Sequence, residues 1–221
     1  MGFGKLIGTL SVVIALSGCG GSDGSSAGQG QGGNAIDYSQ LQTLSADEAQ
    51  TATYIREEEK LARDVYLTLD QTWKINPFAT IATQSEQKHM DSMQKLLSAV
   101  GLADPVLANT VGAFTDTELA LLYQSLTTQG AISASEGLKV GAYIEELDIQ
   151  DLQQAIQQVQ QGTNQAAVIQ TYERLMCGSR NHLRSFVIAL TQQGVSYNAQ
   201  VLPSTTVNSI LEQPQEQCGK A

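Results

Sequence analysis

Tyr54-Ile-Arg-Glu-Glu-Glu-Lys-Leu-Ala-Arg-Asp-Val-Tyr66 is the most informative stretch of the chain, because its periodicity predicts a helix with an acid in its apolar face. Glu59 is the charged member of that face, whereas Glu57 and Glu58 fall off it and are expected to face water. A buried carboxylate is costly without a partner, so the sequence predicts that Glu59 shares a site with other polar groups. The apolar stripe steps by three and four residues, through Ala52, Ile55, Glu59, Ala62, Tyr66, Leu69 and Trp73.

Three more long helices are predicted, and polar residues recur in their apolar stripes. Ser45 and Glu48 have the spacing of a capping box at the start of the first helix. The others are predicted for residues 77–100, 133–162 and 164–193, and a short helix is predicted within the long connection 101–132. The polar members of the four stripes are Glu59; Glu86 and His89; Glu145 and Asp148; Ser179 and His182. Beside them, Glu146 is expected to face water and Asp151 is ambiguous. Gly178 within the fourth helix is explained either by close helix contact or by a local bulge.

These four stripes predict an all-α fold, a four-helix bundle with a long crossover that carries a short helix. A Glu and a His three residues apart share a helix face and can hold one metal ion between them. Facing stripes would gather four carboxylates and two imidazoles, the donors that suit a di-iron or di-manganese centre. The predicted ligands of two iron or manganese ions are Glu59, Glu86, His89, Glu145, Asp148 and His182.

Parts of the chain resemble known families. Glu59-Lys-Leu-Ala-Arg-Asp-Val-Tyr66 is similar to the first-helix Glu-x-x-Ala-Arg-x-x-Tyr pattern of rubrerythrins, and Glu86-Gln-Lys-His89 is similar to their second-helix Glu-x-x-His. Residues of about 45–200 more closely resemble an uncharacterised ferritin-like family of bacteria and archaea, through residues 56–66, 141–152 and 178–186. The resemblance implies a ferritin-like fold and a dinuclear metal site, and it implies no established reaction.

One position departs from the ferritin-like pattern, which has Glu-x-x-His on the fourth helix. Ser179 stands where that Glu would be, and a neutral hydroxyl is a poor substitute for a carboxylate ligand. Asp148, one turn after Glu145, could supply the missing carboxylate, as a second third-helix acid does in rubrerythrins. Otherwise the site is asymmetric, holds one metal well, or leaves a coordination position open.

The first residues of the chain predict that the protein is exported. Residues 1–18 have the pattern of a lipoprotein signal peptide, and Leu16-Ser17-Gly18-Cys19 resembles a lipobox that would place a lipid on Cys19. An ordinary secretory signal is the alternative. Residues 19–40 form a Gly/Ser/Gln tether, 41–200 the bundle and 201–221 a polar, mostly irregular tail. Gly20 favours outer-membrane sorting, so the expected location is the cell envelope, facing periplasm or exterior.

The net charge and the cysteine content limit the binding partners and the thiol chemistry that we expect of the protein. The formal net charge of −10 argues against nucleic acid and is compatible with attraction of cations. Cys177 and Cys218 could form a disulfide in an oxidising compartment, with a redox pair or thiolate ligand as the alternative. The chain contains no Cys-x-x-Cys, so a rubredoxin-like electron relay is not expected.

Two functions fit this pattern. The first is a metal-dependent oxidoreductase, either a ferroxidase or an enzyme that reduces oxygen or peroxide. The second is a non-enzymatic envelope bundle that binds metal or a partner. The competing structural interpretation is that the stripe acids form buried ion pairs with bases such as Arg63 or Lys88. A further alternative is a bundle of the same fold that has lost its metal.

Overall fold

The computed structural model describes residues 35–219, and this part of the chain contains six helices and no strand. The predicted all-α class is therefore confirmed for these residues. The predicted signal peptide and Cys19 lie outside them, and no described helix has the length and apolar character needed to cross a membrane. The helices are α1 (Ala46–Trp73), α2 (Phe78–Ile81, a π-helical segment Ala82–Glu86, and Gln87–Ala99), α3 (Thr117–Gly130), α4 (Ala134–Gln161), α5 (Ala166–Gln192) and α6 (Ser204–Glu212).

The four long helices pack side by side in a closed order. α1 contacts α2 and α4, and α5 contacts the same two helices from the other side. Two apolar clusters fill the interior: one contains Leu61, Tyr66 and Phe186, and the other contains Ile55 and Leu175. On α1 and α5 a short polar stretch separates the residues of the two clusters. The polar side chains in mid-helix are therefore enclosed by apolar packing above and below.

Side chains cap the helices where the sequence changes from loop to helix. Ser45 and Glu48 form the predicted capping box, which is confirmed by bonds in both directions between them. Ser133 accepts a hydrogen bond from the Glu136 N–H at the start of α4. Such caps satisfy N–H groups that have no partner within the helix, and they fix the register of α1 and α4, which carry site residues.

The expectation that Glu57 and Glu58 face water is wrong, because the crossover covers Glu57 and Glu58 lies against Asp151 of α4. Both acids are nearly fully buried, at 3% and 4% exposure. The carboxylate of Glu57 accepts the N–H groups of Thr115 and Asp116 at 2.6 and 2.8 Å, at the start of α3. Helix periodicity identified the face of α1 that is buried in the bundle interior. A second face of α1 is buried because the crossover packs over it.

The bases of α1 also have partners other than Glu59. Lys60 is fully buried, and its Nζ pairs with Asp64 and donates to the Thr110 carbonyl at 2.8 Å. Arg63 pairs with Asp64, its neighbour in sequence, at 2.7 Å. The alternative in which Arg63 neutralises Glu59 is therefore not what the structure contains.

Glu146 on α4 was expected to face water, and this prediction is also wrong. Its side chain is fully buried and accepts the Tyr197 hydroxyl at 2.6 Å and the backbone N–H groups of residues 200–202 at 2.7–3.2 Å. The chain that follows was expected to be irregular, but it forms α6, whose Val207 and Ile210 enter the core. Glu146 thus anchors the segment that leads into α6.

We expect Glu146→Ala to lower the free energy of unfolding by about 2–3 kcal/mol, because buried N–H donors lose a charged acceptor. Urea unfolding monitored by circular dichroism measures this loss. Glu173→Ala, which removes an exposed acid from α5, serves as the control and should change stability by less than about 0.5 kcal/mol. Equal effects of the two substitutions would show that Glu146 does not anchor this segment.

Candidate metal centre

The candidate site lies in the middle of the four long helices and consists of acids and histidines that are all buried. α1 supplies Glu59, α2 supplies Glu86 and His89, α4 supplies Glu145, and α5 supplies His182. Their ligand atoms fall into two groups of three, each within 4.8 Å, and Glu86 belongs to both. We call these groups the first triad (Glu59, Glu86, His89) and the second triad (Glu86, Glu145, His182).

In the first triad, one imidazole nitrogen faces two carboxylates. His89 Nδ1 lies 3.0 Å from Glu59 Oε2 and 3.0 Å from Glu86 Oε2. Glu86 and His89 are three residues apart, so they project from adjacent turns on one face of α2. Glu59 reaches them from α1, which explains why an acid occupies its apolar stripe.

The second triad repeats this arrangement around the other oxygen of Glu86. His182 Nδ1 lies 2.7 Å from Glu86 Oε1 and 3.3 Å from Glu145 Oε2. The two imidazole rings stack with centroids 5.5 Å apart. Glu86 therefore lies between two histidines and offers one oxygen to each triad.

Several of these buried atoms have no hydrogen bond, although they lie close together. They are both oxygens of Glu86, Oε2 of Glu145 and Nδ1 of His182. Buried polar atoms in native proteins are almost always satisfied, and an unpaired buried carboxylate is especially unfavourable. Apart from the hydrogen bond between His89 Nδ1 and Glu59 Oε2, these carboxylate oxygens and imidazole nitrogens converge without hydrogen-bond geometry, and they fit a transition-metal ion as their common partner.

Burial and mutual charge shift the titration of these groups strongly. Burial raises the pKa of Glu59 to about 7, despite the attraction of His89. Burial acts in the same direction on Glu86, but the imidazoles of His182 and His89 outweigh it and hold its pKa below the ordinary value. Burial lowers the pKa of His182, but Glu145 and Glu86 outweigh it and raise this pKa to about 9. Without metal, protons must neutralise the cluster, and metal binding would release them.

Two residues outside the triads orient their members. The Ser85 hydroxyl lies 2.7 Å from His182 Nε2, which leaves Nδ1 of that ring free to act as a ligand. The Tyr66 hydroxyl donates to Glu145 Oε1 at 2.6 Å, so Oε2 is the oxygen that faces His182. These bonds fix which atoms of the second triad point inward.

Gly178 provides space for His89. A Cβ atom at this position would lie 2.4 Å from His89 Nε2 and 2.6 Å from Cε1. The sequence offered two explanations for a glycine within this helix, close contact or a local bulge. α5 is a continuous helix through Gly178, and the irregular segment lies instead on α2, so close contact is the explanation.

The remaining predicted ligand and the position that departs from the pattern lie at the edge of the site. Asp148 is buried in the same acidic interior but belongs to neither triad. The Ser179 hydroxyl donates to the Leu175 carbonyl of its own helix at 3.2 Å. Of the six predicted ligands, five fall in the triads, and Ser179 does not replace the absent fourth-helix acid.

Comparison with known proteins places this site within a family. A family model described as an uncharacterized protein domain (DUF2202) matches residues 48–214. The chain belongs to this DUF2202 family. The match extends over the helical region and includes every residue of both triads.

An archaeal relative of this DUF2202 chain has a solved structure. The uncharacterized protein MJ0754 of Methanocaldococcus jannaschii is 41% identical over 175 residues, which span 79% of this chain and 92% of the relative. The crystal structure of hypothetical protein MJ0754 from Methanococcus jannaschii DSM 2661 is similar with a TM-score of 0.76, and the match covers 80% of this chain and 98% of that one. The expectation of an uncharacterised family is confirmed.

A cleft of 570 Å³ gives the DUF2202 chain an opening to the histidine side of its site. His89 and His182 line it together with Ser85, Lys88, Arg174 and Asn181. The C-terminal segment borders this cleft, where Cys177 and Cys218 are joined as a disulfide and Glu216 pairs with Arg180 and Arg184. The cleft is large enough for a small molecule and has basic groups at its rim.

Sequence reasoning did not identify three residues beside the site. Ser85 has no periodicity signal, because it lies in the π-helical segment, where the regular helical register fails. Glu58 was expected to face water and Asp151 was ambiguous, yet their carboxyl groups interact between α1 and α4. The spacing of three residues between Asp148 and Asp151 was the signal that could have placed Asp151 beside the site.

Proposed function

We propose that this protein is a ferritin-like four-helix bundle that binds two iron or manganese ions and acts as a metal-dependent oxidoreductase. The candidate reactions are oxidation of ferrous iron and reduction of oxygen or peroxide. The observation that carries the proposal is Glu86, whose two unbonded oxygens face two separate histidines at 2.7 and 3.0 Å. A carboxylate shared in this way is suited to bridging two cations.

The donor set supports iron or manganese over softer metals. Oxygen and imidazole donors suit these ions, and no cysteine belongs to either triad. Iron or manganese bound there would supply one-electron chemistry toward oxygen or peroxide. The chain's own residues hold Nδ1 of His182 inward through Ser85, fix Glu145 through Tyr66, and surround the site with apolar packing that limits water.

Metal content and turnover together test this proposal. Protein purified from iron- and manganese-replete medium is expected to contain about two ions per chain by mass spectrometry, and His89→Ala and His182→Ala each to contain fewer. Ferrous iron with oxygen or peroxide should be oxidised by the wild type and not by either variant. Wild-type protein that contains no bound metal under these conditions would refute the proposal.

A non-enzymatic metal-binding bundle is the second candidate, and Ser179 is the observation that favours it. The hydroxyl is held by the backbone of α5, so the fourth-helix acid of the ferritin-like pattern has no replacement there. A protein that binds two ions but oxidises no ferrous iron would support this second function over the first.

We also propose that the bundle is exported and held at the envelope by a lipid on Cys19. The disulfide between Cys177 and Cys218 supports an oxidising compartment, and the signal-like residues 1–18 agree with it. Incorporation of labelled palmitate into the wild type but not into Cys19→Ala is the expected result. Equal labelling of both proteins would exclude Cys19 as the anchor.

A further inference from the structure

Three acids on α4 lead from the second triad toward the protein surface. Glu145, Asp148 and Asp151 are spaced by three residues, so each lies about 4.5 Å further along the helix axis and is turned by about 60° from the one before it. Glu145 and Asp148 are buried, whereas Asp151 is half-buried and lines a cleft of 470 Å³ between α1 and α4. The row of acids thus runs from the second triad to a half-buried residue in the wall of this cleft.

Glu58 faces this row of acids from α1. It is buried, and its carboxyl group is close enough to that of Asp151 to share a hydrogen bond across the helix interface. Burial raises the pKa of Glu58 well above its usual range, and Asp151 and Glu59 add to the shift. Glu58 therefore lies among other acids.

Asp148, in the middle of the row, has no hydrogen-bonding partner. It is 2% exposed, and neither carboxylate oxygen is bonded. Burial raises its pKa well above the usual range, and the neighbouring charges that act on it most strongly are all acids, with Glu58 first and Glu145 next. A buried, unpaired carboxylate surrounded by acids calls for a cation as its partner.

The two clefts near the site differ in charge. The cleft at Asp151 is lined by Tyr54 and neutral side chains, and no Lys or Arg is among its lining residues. The cleft at the histidines has Lys88, Arg174 and Glu216 in its wall and is bordered by the disulfide-linked tail. A cation approaching the protein is attracted by the unopposed acid of the first cleft, whereas the wall of the second cleft carries charges of both signs.

We propose that Glu58, Asp148 and Asp151 form a divalent-cation binding path that admits metal ions from the α1–α4 cleft to the two triads. This inference rests on the proposed metal-binding function. Asp151 captures the hydrated ion at the cleft, Glu58 shares it across the interface, and Asp148 passes it to Glu145. The path determines how fast the triads are filled, whereas the triads determine how many ions are held.

Loading kinetics with Co²⁺ test the path in the full-length metal-free protein, because the d–d absorption of Co²⁺ changes when it enters a carboxylate–imidazole site. We expect Asp151→Asn to slow loading by about tenfold at low ionic strength, the lower end of electrostatic steering effects. Its final stoichiometry should equal that of the wild type. Asp91→Asn, which removes the same charge from the exposed face of α2, is the matched control and should load at the wild-type rate.

A second variant separates a path from an unspecific charge effect. Glu58→Gln should slow loading to a similar degree, and the Glu58→Gln/Asp151→Asn double variant should be little slower than either single variant, because both act on one route. Equal loading rates for wild type, Asp151→Asn and Asp91→Asn would overturn the path. A reduced final stoichiometry in Asp151→Asn would also overturn it by making Asp151 a ligand, whereas wild-type protein that binds no Co²⁺ would refute the metal centre itself.

Discussion

Glu86→Gln is expected to abolish binding of both metal ions, whereas Glu59→Gln and Glu145→Gln should each remove about one. Glu86 is the residue shared by the two triads, with one oxygen facing each histidine. The loss of affinity should exceed the roughly 10–100-fold that follows when a residue that merely orients a ligand is replaced. Native mass spectrometry measures the number of metal ions bound per chain in each variant.

The control for Glu86→Gln is the fold of the metal-free protein. Glutamine keeps the size of the side chain, so the circular dichroism spectrum of the variant should match that of metal-free wild type. Glu173→Gln removes an exposed acid from α5 and should leave both ions in place. Retention of one tightly held ion in Glu86→Gln would show that the two triads are independent sites without a bridging carboxylate.

Gly178→Ala is expected to cause the second large loss of metal, although it adds only a methyl group to a buried helix. The new Cβ would lie 2.4 Å from His89 Nε2, so the ring must move away from Glu59 and Glu86. Alanine favours the helix by about 1 kcal/mol, while overpacking costs about 1–3 kcal/mol. The free energy of unfolding should therefore fall by no more than about 2 kcal/mol, and metal affinity should fall at least tenfold by isothermal titration.

A double-mutant cycle isolates this contact. In a His89→Ala background the clash is absent, so Gly178→Ala should be neutral or stabilising by up to about 1 kcal/mol in chemical unfolding. In the wild-type background the same substitution should not stabilise. If Gly178→Ala binds metal as tightly as the wild type, the glycine is not required to position His89.

The sequence predicted the long helices and most of the triads because one physical rule governs both. Burial of one helix face requires a period of three to four residues, and this period placed Glu59, Glu86 and His182 among apolar neighbours. A charged residue in such a position is informative, since it must find a partner inside. If the apolar faces of the four long helices meet in the interior, the polar residues of the other faces are the partners of each buried charge.

The residues that were placed wrongly have partners that are distant in sequence. Glu57 is buried because Thr115 and Asp116 reach it from the crossover, and Glu146 because residues 197–202 fold onto α4. Helical periodicity describes one helix and its main interior face, so it contains no information about a loop that covers a second face. Glu58 was misplaced for the related reason that its partner, Asp151, belongs to another helix.

The π-helical segment of α2 amounts to one inserted residue, with the Gln87 N–H donating to the carbonyl of Ala82, five positions earlier. A regular helix would turn everything beyond the segment by about 100° relative to Phe78. The inserted residue changes the rotation of the second segment of α2 about the helix axis relative to the first segment. The first part can follow the packing of the apolar core, while the part with Glu86 and His89 follows the geometry of the two triads. The directions of the side chains in the two segments of α2 are therefore set independently of each other.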